Sequence, residues 1–152
     1  MAKFSFNGVD SFEASLEQLA RLSYEEKLSV IMPSAQLLLQ RQKEKILSMF
    51  RRRTGDLEAS LGLEAKESDE GPSVVLFFQG KHRGAYAGKR TRGGRPRGKY
   101  SGTNAEIAYI LNYGSPRIKA THWLDNVNSE TEREMVASQQ EAWNDLLEKK
   151  GL

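Results

Sequence analysis

Leu57-Glu58-Ala59-Ser60-Leu61-Gly62-Leu63-Glu64-Ala65-Lys66, a polar break at Ser68-Asp69-Glu70-Gly71-Pro72, and then Val74-Val75-Leu76-Phe77-Phe78 form the stretch that sets the fold class. Leu57, Ala59, Leu61, Leu63 and Ala65 alternate with polar residues or glycine, and period two describes a strand with one wet face. The polar break reads as a turn, and the β-branched and aromatic run behind it as a second strand. Together they predict an antiparallel hairpin.

Helical patterns flank this hairpin on both sides. Upstream, Phe12, Leu16, Leu19 and Leu22 recur at helical spacing behind Asp10 and Glu13, which predicts a short amphipathic helix. Ser23 with Glu26 repeats the capping signal, and Leu28, Ile31, Ala35, Leu38, Leu39, Gln42, Ile46 and Met49 carry a second helix to about Arg52. Pro33 is expected to kink or restart it, because a proline inside a helix removes a donor and crowds the preceding turn. Downstream, Thr103 with Glu106 caps a short helix through Ile107, Ala108, Ile110 and Leu111, with Gly114 as its left-handed stop. Ser115-Pro116 opens a connector containing Arg117 and Lys119. A last helix starts at Trp123 or Ser129 and runs to about Lys149, carrying Val127, Met135, Ala142, Leu146 and Leu147. This order gives an α+β class: an antiparallel sheet packed by a long N-terminal helix and a C-terminal helix.

The 152 residues suit a single domain, 1–152, with one core. With no cysteine the chain has neither disulfides nor thiol chemistry, which fits a reducing compartment. Residues 1–20 include Lys3, Asp10, Glu13 and Glu17 and read as no secretory signal. No window approaches the roughly 20 apolar residues of a membrane span.

Charge is distributed unevenly. Between Gly80 and Gly102 stand Lys81, Arg83, Lys89, Arg90, Arg92, Arg95, Arg97 and Lys99, with seven glycines and no carboxylate. Without these eight cations the remaining 15 Lys and Arg face 20 Asp and Glu, so a net +3 conceals an acidic body with one basic segment. Poor in apolar side chains, residues 80–102 read as a long flexible loop. Its cations suit phosphates, its glycines permit close approach, and Tyr86 and Tyr100 offer stacking faces. An acidic protein surface is an equally good match for the charge, and a solvated loop without a partner accounts for the same composition.

Other chemistry-bearing patterns are weaker. Gly84 to Lys89 imitates a phosphate-binding loop but has three residues between its glycines and Arg90 where a hydroxyl is needed. Asp56, Glu64 and Lys66 resemble the acidic pair and lysine of a metal nuclease, yet Glu64 and Lys66 share the polar face of a strand where charges are expected anyway. His122 reads as a connector residue rather than a base, since no serine sits in a nucleophile-elbow sequence. Arg51 to Arg53 read as the cationic end of the long helix, with a partner-binding role as the alternative. No catalytic, metal or cofactor site is expected.

Three segments also occur in a characteristic order. Thr54-Gly55-Asp56-Leu57-Glu58-Ala59-Ser60-Leu61 follows the long helix. Ala108-Tyr109-Ile110-Leu111-Asn112-Tyr113-Gly114-Ser115 then leads through Arg117-Ile118-Lys119-Ala120 to Trp123-Leu124 and the closing helix. Over roughly residues 8–148 this resembles the tail-completion family of long-tailed bacteriophages, which includes tail terminators, head-tail joining proteins and minor tail components. The chain departs from that pattern at Asn112, where the family often has an acidic residue, and at His122-Trp123-Leu124, where it often has Pro-Phe-Leu.

The resemblance implies a structural virion protein of the tail or neck, present in the host cytoplasm during assembly, and not an enzyme. It implies self-association into a ring, commonly a hexamer, that caps the tail tube protein and meets the head-tail connector or stopper protein. Non-specific contact with DNA passing through the channel is compatible with it. Thr54 and Gly55 would be a turn, Leu57 and Leu61 inward strand residues, Gly114 a helix stop, and Trp123 and Leu124 anchors of the last helix. The alternative reading is a cellular nucleic-acid-binding protein with a flexible basic arm.

Overall fold

A computed structural model describes residues 17, 20–50, 55–69, 71–81 and 102–151. The elements in chain order are α1 (Tyr24–Met49), α2 (Asp56–Ser60), β1 (Leu61–Ser68), β2 (Gly71–Phe78), α3 (Asn104–Tyr113) and α4 (Trp123–Lys150). The α+β class holds: a long helix, an antiparallel hairpin and a C-terminal helix pack together. Most of the helix expected over Phe12 to Leu22 lies outside the described residues, as do Arg51–Arg53, Thr54 and residues 82–101.

The Ser23 box starts α1. Its hydroxyl accepts from the Glu26 N–H at 3.2 Å, and the Glu26 carboxylate accepts from the Ser23 N–H at 2.9 Å, so two otherwise orphaned donors are satisfied reciprocally. Contrary to the expected restart, α1 continues through Pro33 to Met49. Pro33 is exposed, as is Ser29, whose carbonyl the proline deprives of a partner and which water can solvate. The helix ends at Phe50, whose backbone is extended.

The strand expected from Leu57 begins only at Leu61. Gly55, at φ 76°, turns the chain, and Asp56–Ser60 form the helical turn α2. Leu57 and Leu61 are four apart, a spacing that satisfies one helical face as well as period two, and both are buried. Leu57 is therefore an inward helical residue, and Leu61 the first inward residue of the strand. The hairpin register pairs Leu61 with Phe78 and Ser68 with Gly71, with Asp69 in the turn that follows β1. Pro72, expected in the turn, lies inside β2 opposite Glu67.

α1 packs against both the hairpin and α4. The two long helices run antiparallel and are tied along their length by polar contacts: Lys150 to Glu26, Gln139 Nε2 to Ser34 Oγ at 2.9 Å, Arg41 to Glu134 at 2.9 Å, Gln42 to Asn128 at 2.8 Å and Lys45 to Glu130 at 3.3 Å. Hydrogen bonding from Lys150 and the Ser23 N–H holds the Glu26 carboxyl below its ordinary range, and Glu134 raises the Arg41 guanidinium. Of the apolar positions expected on α4, Val127 and Leu146 are buried, while Met135, Ala142 and Leu147 are half-buried.

At the other end of this helix pair lies the core of Ile46, Leu57, Leu61, Ala108 and Trp123, flanked by Phe50, Phe78 and Leu124. Trp123 is completely buried and meets Phe50 and Phe78 edge-on, with centroids 5.9 and 6.3 Å apart. No helix among the described residues is long and apolar enough to cross a membrane.

Candidate interaction surface at the base of the basic segment

The basic segment connects the end of β2 to α3. Its two ends are joined: Lys81 and Thr103 form an antiparallel bridge, and the Asn104 N–H donates to the Gly80 carbonyl at 3.1 Å. Asn104, itself buried, also donates from its side chain to the Gln79 carbonyl at 2.7 Å, while the Gln79 N–H reaches Ser60 at 2.8 Å. Gly80 makes the bend at φ 74°. Thr103 then closes the return as the N-cap of α3: its hydroxyl accepts from the Glu106 N–H at 3.1 Å, and its own N–H donates to the Glu106 carboxylate at 2.8 Å.

This stem therefore holds residues 82–101 at both ends. Lys81 is exposed beside a shallow depression of about 330 Å³ that Asp56, Ser60, Gln79 and Asn104 help to line. Arg83, Lys89, Arg90, Arg92, Arg95, Arg97 and Lys99, together with Tyr86 and Tyr100, lie outside the described residues.

Beyond α3 the connector is built around Asn112. Gly114 stops the helix at φ 84°, ψ −178°, a region essentially restricted to glycine, and its N–H caps the Ile110 carbonyl at 2.8 Å. The chain then folds back so that the Thr121 and His122 N–H groups donate to the Leu111 and Asn112 carbonyls. His122 precedes α4 in a left-handed conformation and contributes no side-chain cap. Asn112 supplies it from a distance: its Oδ1 accepts from the Leu124 N–H at 2.8 Å and its Nδ2 donates to Asp125 at 3.0 Å. In the sequence Asn112 stands out only as a departure from a family pattern. Its capping role depends on where α4 begins, which no local signal specifies.

A second feature has no counterpart among the sequence expectations. Tyr109 and Tyr113 pack with centroids 4.8 Å apart and planes inclined by 50° on the outer face of α3, and the His122 ring stands edge-on to Tyr113 at 6.4 Å. Tyr109 is 62% exposed. The usable signal is the four-residue spacing of the tyrosines, offset by one from Ala108 and Asn112, which are buried. Arg117 and Lys119, both exposed, lie in the adjoining connector.

The nuclease-like trio does not gather around one point of chemistry. Glu64 and Lys66 pair with each other at 3.5 Å on the exposed face of β1, while Asp56 begins α2. Among the described residues no group of three His, Asp or Glu side chains is arranged to hold a metal ion. The His122 side chain is exposed and lies 3.6 Å from Asp125. Charges lining the groove between α1 and α4, of about 390 Å³, are engaged with each other through Arg41–Glu134 and Lys45–Glu130.

Of the family-pattern positions, Gly55 makes the turn before α2, Leu57 and Leu61 enter the core, Gly114 ends α3, and Trp123 and Leu124 open α4. Comparison of the chain with protein-family models, with curated proteins and with solved structures gives no match.

Proposed function

We propose that this chain is a non-enzymatic structural subunit of a long-tailed phage, a tail-terminator or head-tail joining ring component, with the basic segment 80–102 at a surface facing a neighbouring subunit or the DNA channel. The observation that carries the reading is the ordered set of motifs from Thr54 to Leu124. Gly55, Gly114 and Trp123 each occupy a structurally demanding position in it: two positive-φ turns and a fully buried anchor. A basic segment held at both ends by the body suits either surface, since neutralising phosphate requires charge without base reading. Ring closure through head-to-tail contacts requires two different patches on one subunit.

In the virus encoding the chain, a deletion of residues 84–98 should leave finished tails that fail to join heads. Infectious particles at normal yield with the shortened protein would remove the segment from assembly.

The localised charge also favours a second reading, a cellular nucleic-acid-binding protein whose basic arm holds phosphates. That reading requires the isolated chain to bind DNA or RNA with an affinity that falls steeply as salt rises. Binding no tighter than millimolar at low salt eliminates it.

A further inference from the structure

With only two strands in the sheet, each strand keeps one edge without a strand partner among the described residues. The edges differ in chemistry. β1 carries Glu64, Lys66 and Glu67, the kind of charge with which exposed edges resist pairing, whereas Gly71–Phe78 carries none.

One bond sets the parity of the ladder. The Gln79 N–H donates to the Ser60 carbonyl, and these two residues continue the register that pairs Leu61 with Phe78. Hydrogen-bonded pairs therefore fall at Gly62 with Phe77, Glu64 with Val75 and Lys66 with Ser73, alternating with pairs whose backbone groups point away from each other. Val74 and Leu76 thus direct N–H and C=O outward from β2. Pro72 belongs to the same outward set, so its missing N–H costs the hairpin no ladder bond.

We propose that the β2 edge pairs with the β2 edge of a second copy, antiparallel about a two-fold axis at Val75, to give one four-stranded sheet. Val74 of each copy then exchanges both backbone bonds with Leu76 of the other. Charge favours this pairing over the other isologous one: two β2 edges meet without a formal charge, whereas two β1 edges would bring Glu64, Lys66 and Glu67 to the seam, the charged side chains with which exposed edges resist pairing. Geometry agrees with it. Strands lie about 4.8 Å apart, so the centres of the two hairpins fall about 10 Å apart, the upper end of ordinary helix spacing, and the two α1 helices can lie side by side on the shared apolar face. The inference concerns the free chain and does not rest on the assembly reading.

The absence of cysteine makes a clean test. Val75→Cys puts a single thiol on the axis, at a position already 38% exposed. Val75 would face its own copy as a non-hydrogen-bonded pair with Cα atoms about 4.5 Å apart, within disulfide reach. In a glutathione redox buffer at micromolar protein, V75C should form disulfide-linked dimer at least tenfold faster than Glu64→Cys, its neighbour on the same sheet face. Sedimentation of the unaltered chain should show a dimer. Val74→Pro, which deletes an outward donor and spares the hairpin ladder, should weaken it at least tenfold with an unchanged circular dichroism spectrum. Should V74P fail to fold, Val75→Lys, which sets two like charges on the axis, should give the same loss. A monomer at about 100 µM, or equal cross-linking of V75C and E64C, overturns the proposal.

Discussion

Trp123 offers a sharp test of the packing argument, because its indole is fully buried and its Nε1–H has no hydrogen-bond partner among the described residues. Truncation to alanine removes the side chain that Phe50 and Phe78 enclose, and large aromatic deletions of this kind cost about 3–5 kcal/mol. For a chain of this length that corresponds to a fall in Tm of roughly 6–20 °C. Trp123→Phe should behave differently. Losing part of the ring costs about 2 kcal/mol in transfer and cavity terms, while removing a buried, unpaired donor returns about 1–3 kcal/mol. The two nearly cancel, so W123F should lie within about 1 kcal/mol of the unaltered protein. Guanidinium unfolding followed by far-UV circular dichroism measures both variants without relying on the altered fluorophore, and Trp143 fluorescence provides a second probe. A W123F variant as unstable as W123A would refute the reasoning, showing that the indole N–H does have a partner worth keeping.

Gly114→Ala should destabilise by about 2 kcal/mol or more, since a Cβ there would lie 2.8 Å from the Ala120 nitrogen and 2.9 Å from the Ile118 oxygen in a conformation that alanine avoids; thermal denaturation reads the loss. Asn112→Asp retains the acceptor for Leu124 but replaces the donor to Asp125 with a second carboxylate, raising carboxyl pKa values in the folded state. Its stability deficit should therefore be small at acid pH and grow as pH rises through the raised values, as Tm measured from pH 3 to 8 will show. Glu26 has the opposite sign: its lowered folded pKa contributes stability above the unfolded value, lost as pH falls through the folded one. Glu26→Gln should thus lower Tm near neutrality, with the difference closing in acid.

What the sequence discloses and what it hides follow from range. The two capping boxes are legible because each is complete within four residues, and the hairpin because Leu61, Leu63 and Ala65 alternate toward one face. Leu57 and Leu61 mislead because a four-residue interval fits both periods, and Gly55 decides in favour of a helical turn only through its positive φ. Pro33 does not restart the helix, because its local penalty falls on the exposed side of a helix packed against α4 and the hairpin. The stem under the basic segment is invisible for another reason. It joins Lys81 to Thr103 across residues whose composition says only that they are polar, and it depends on Asn104 being buried beneath Gln79.

That stem separates the stability of the body from the presence of the segment it carries. Its bonds run among Ser60, Gln79, Gly80, Lys81, Thr103 and Asn104, and all of these remain when residues 82–101 are replaced by a short glycine and serine link. Folding the natural chain closes a loop of 20 residues between Lys81 and Gly102. Shortening it to about five lowers the closure cost by roughly 1 kcal/mol, because the entropy grows with the logarithm of length. The shortened protein should therefore unfold at the same temperature or up to about 4 °C higher, with the same cooperativity. A fall of more than about 5 °C would mean that the segment contributes packing of its own. If stability holds, any loss of head joining or nucleic-acid binding on deletion reflects the missing cations and not a damaged fold. That independence allows a single comparison of the long and short chains to judge both the assembly and the nucleic-acid readings.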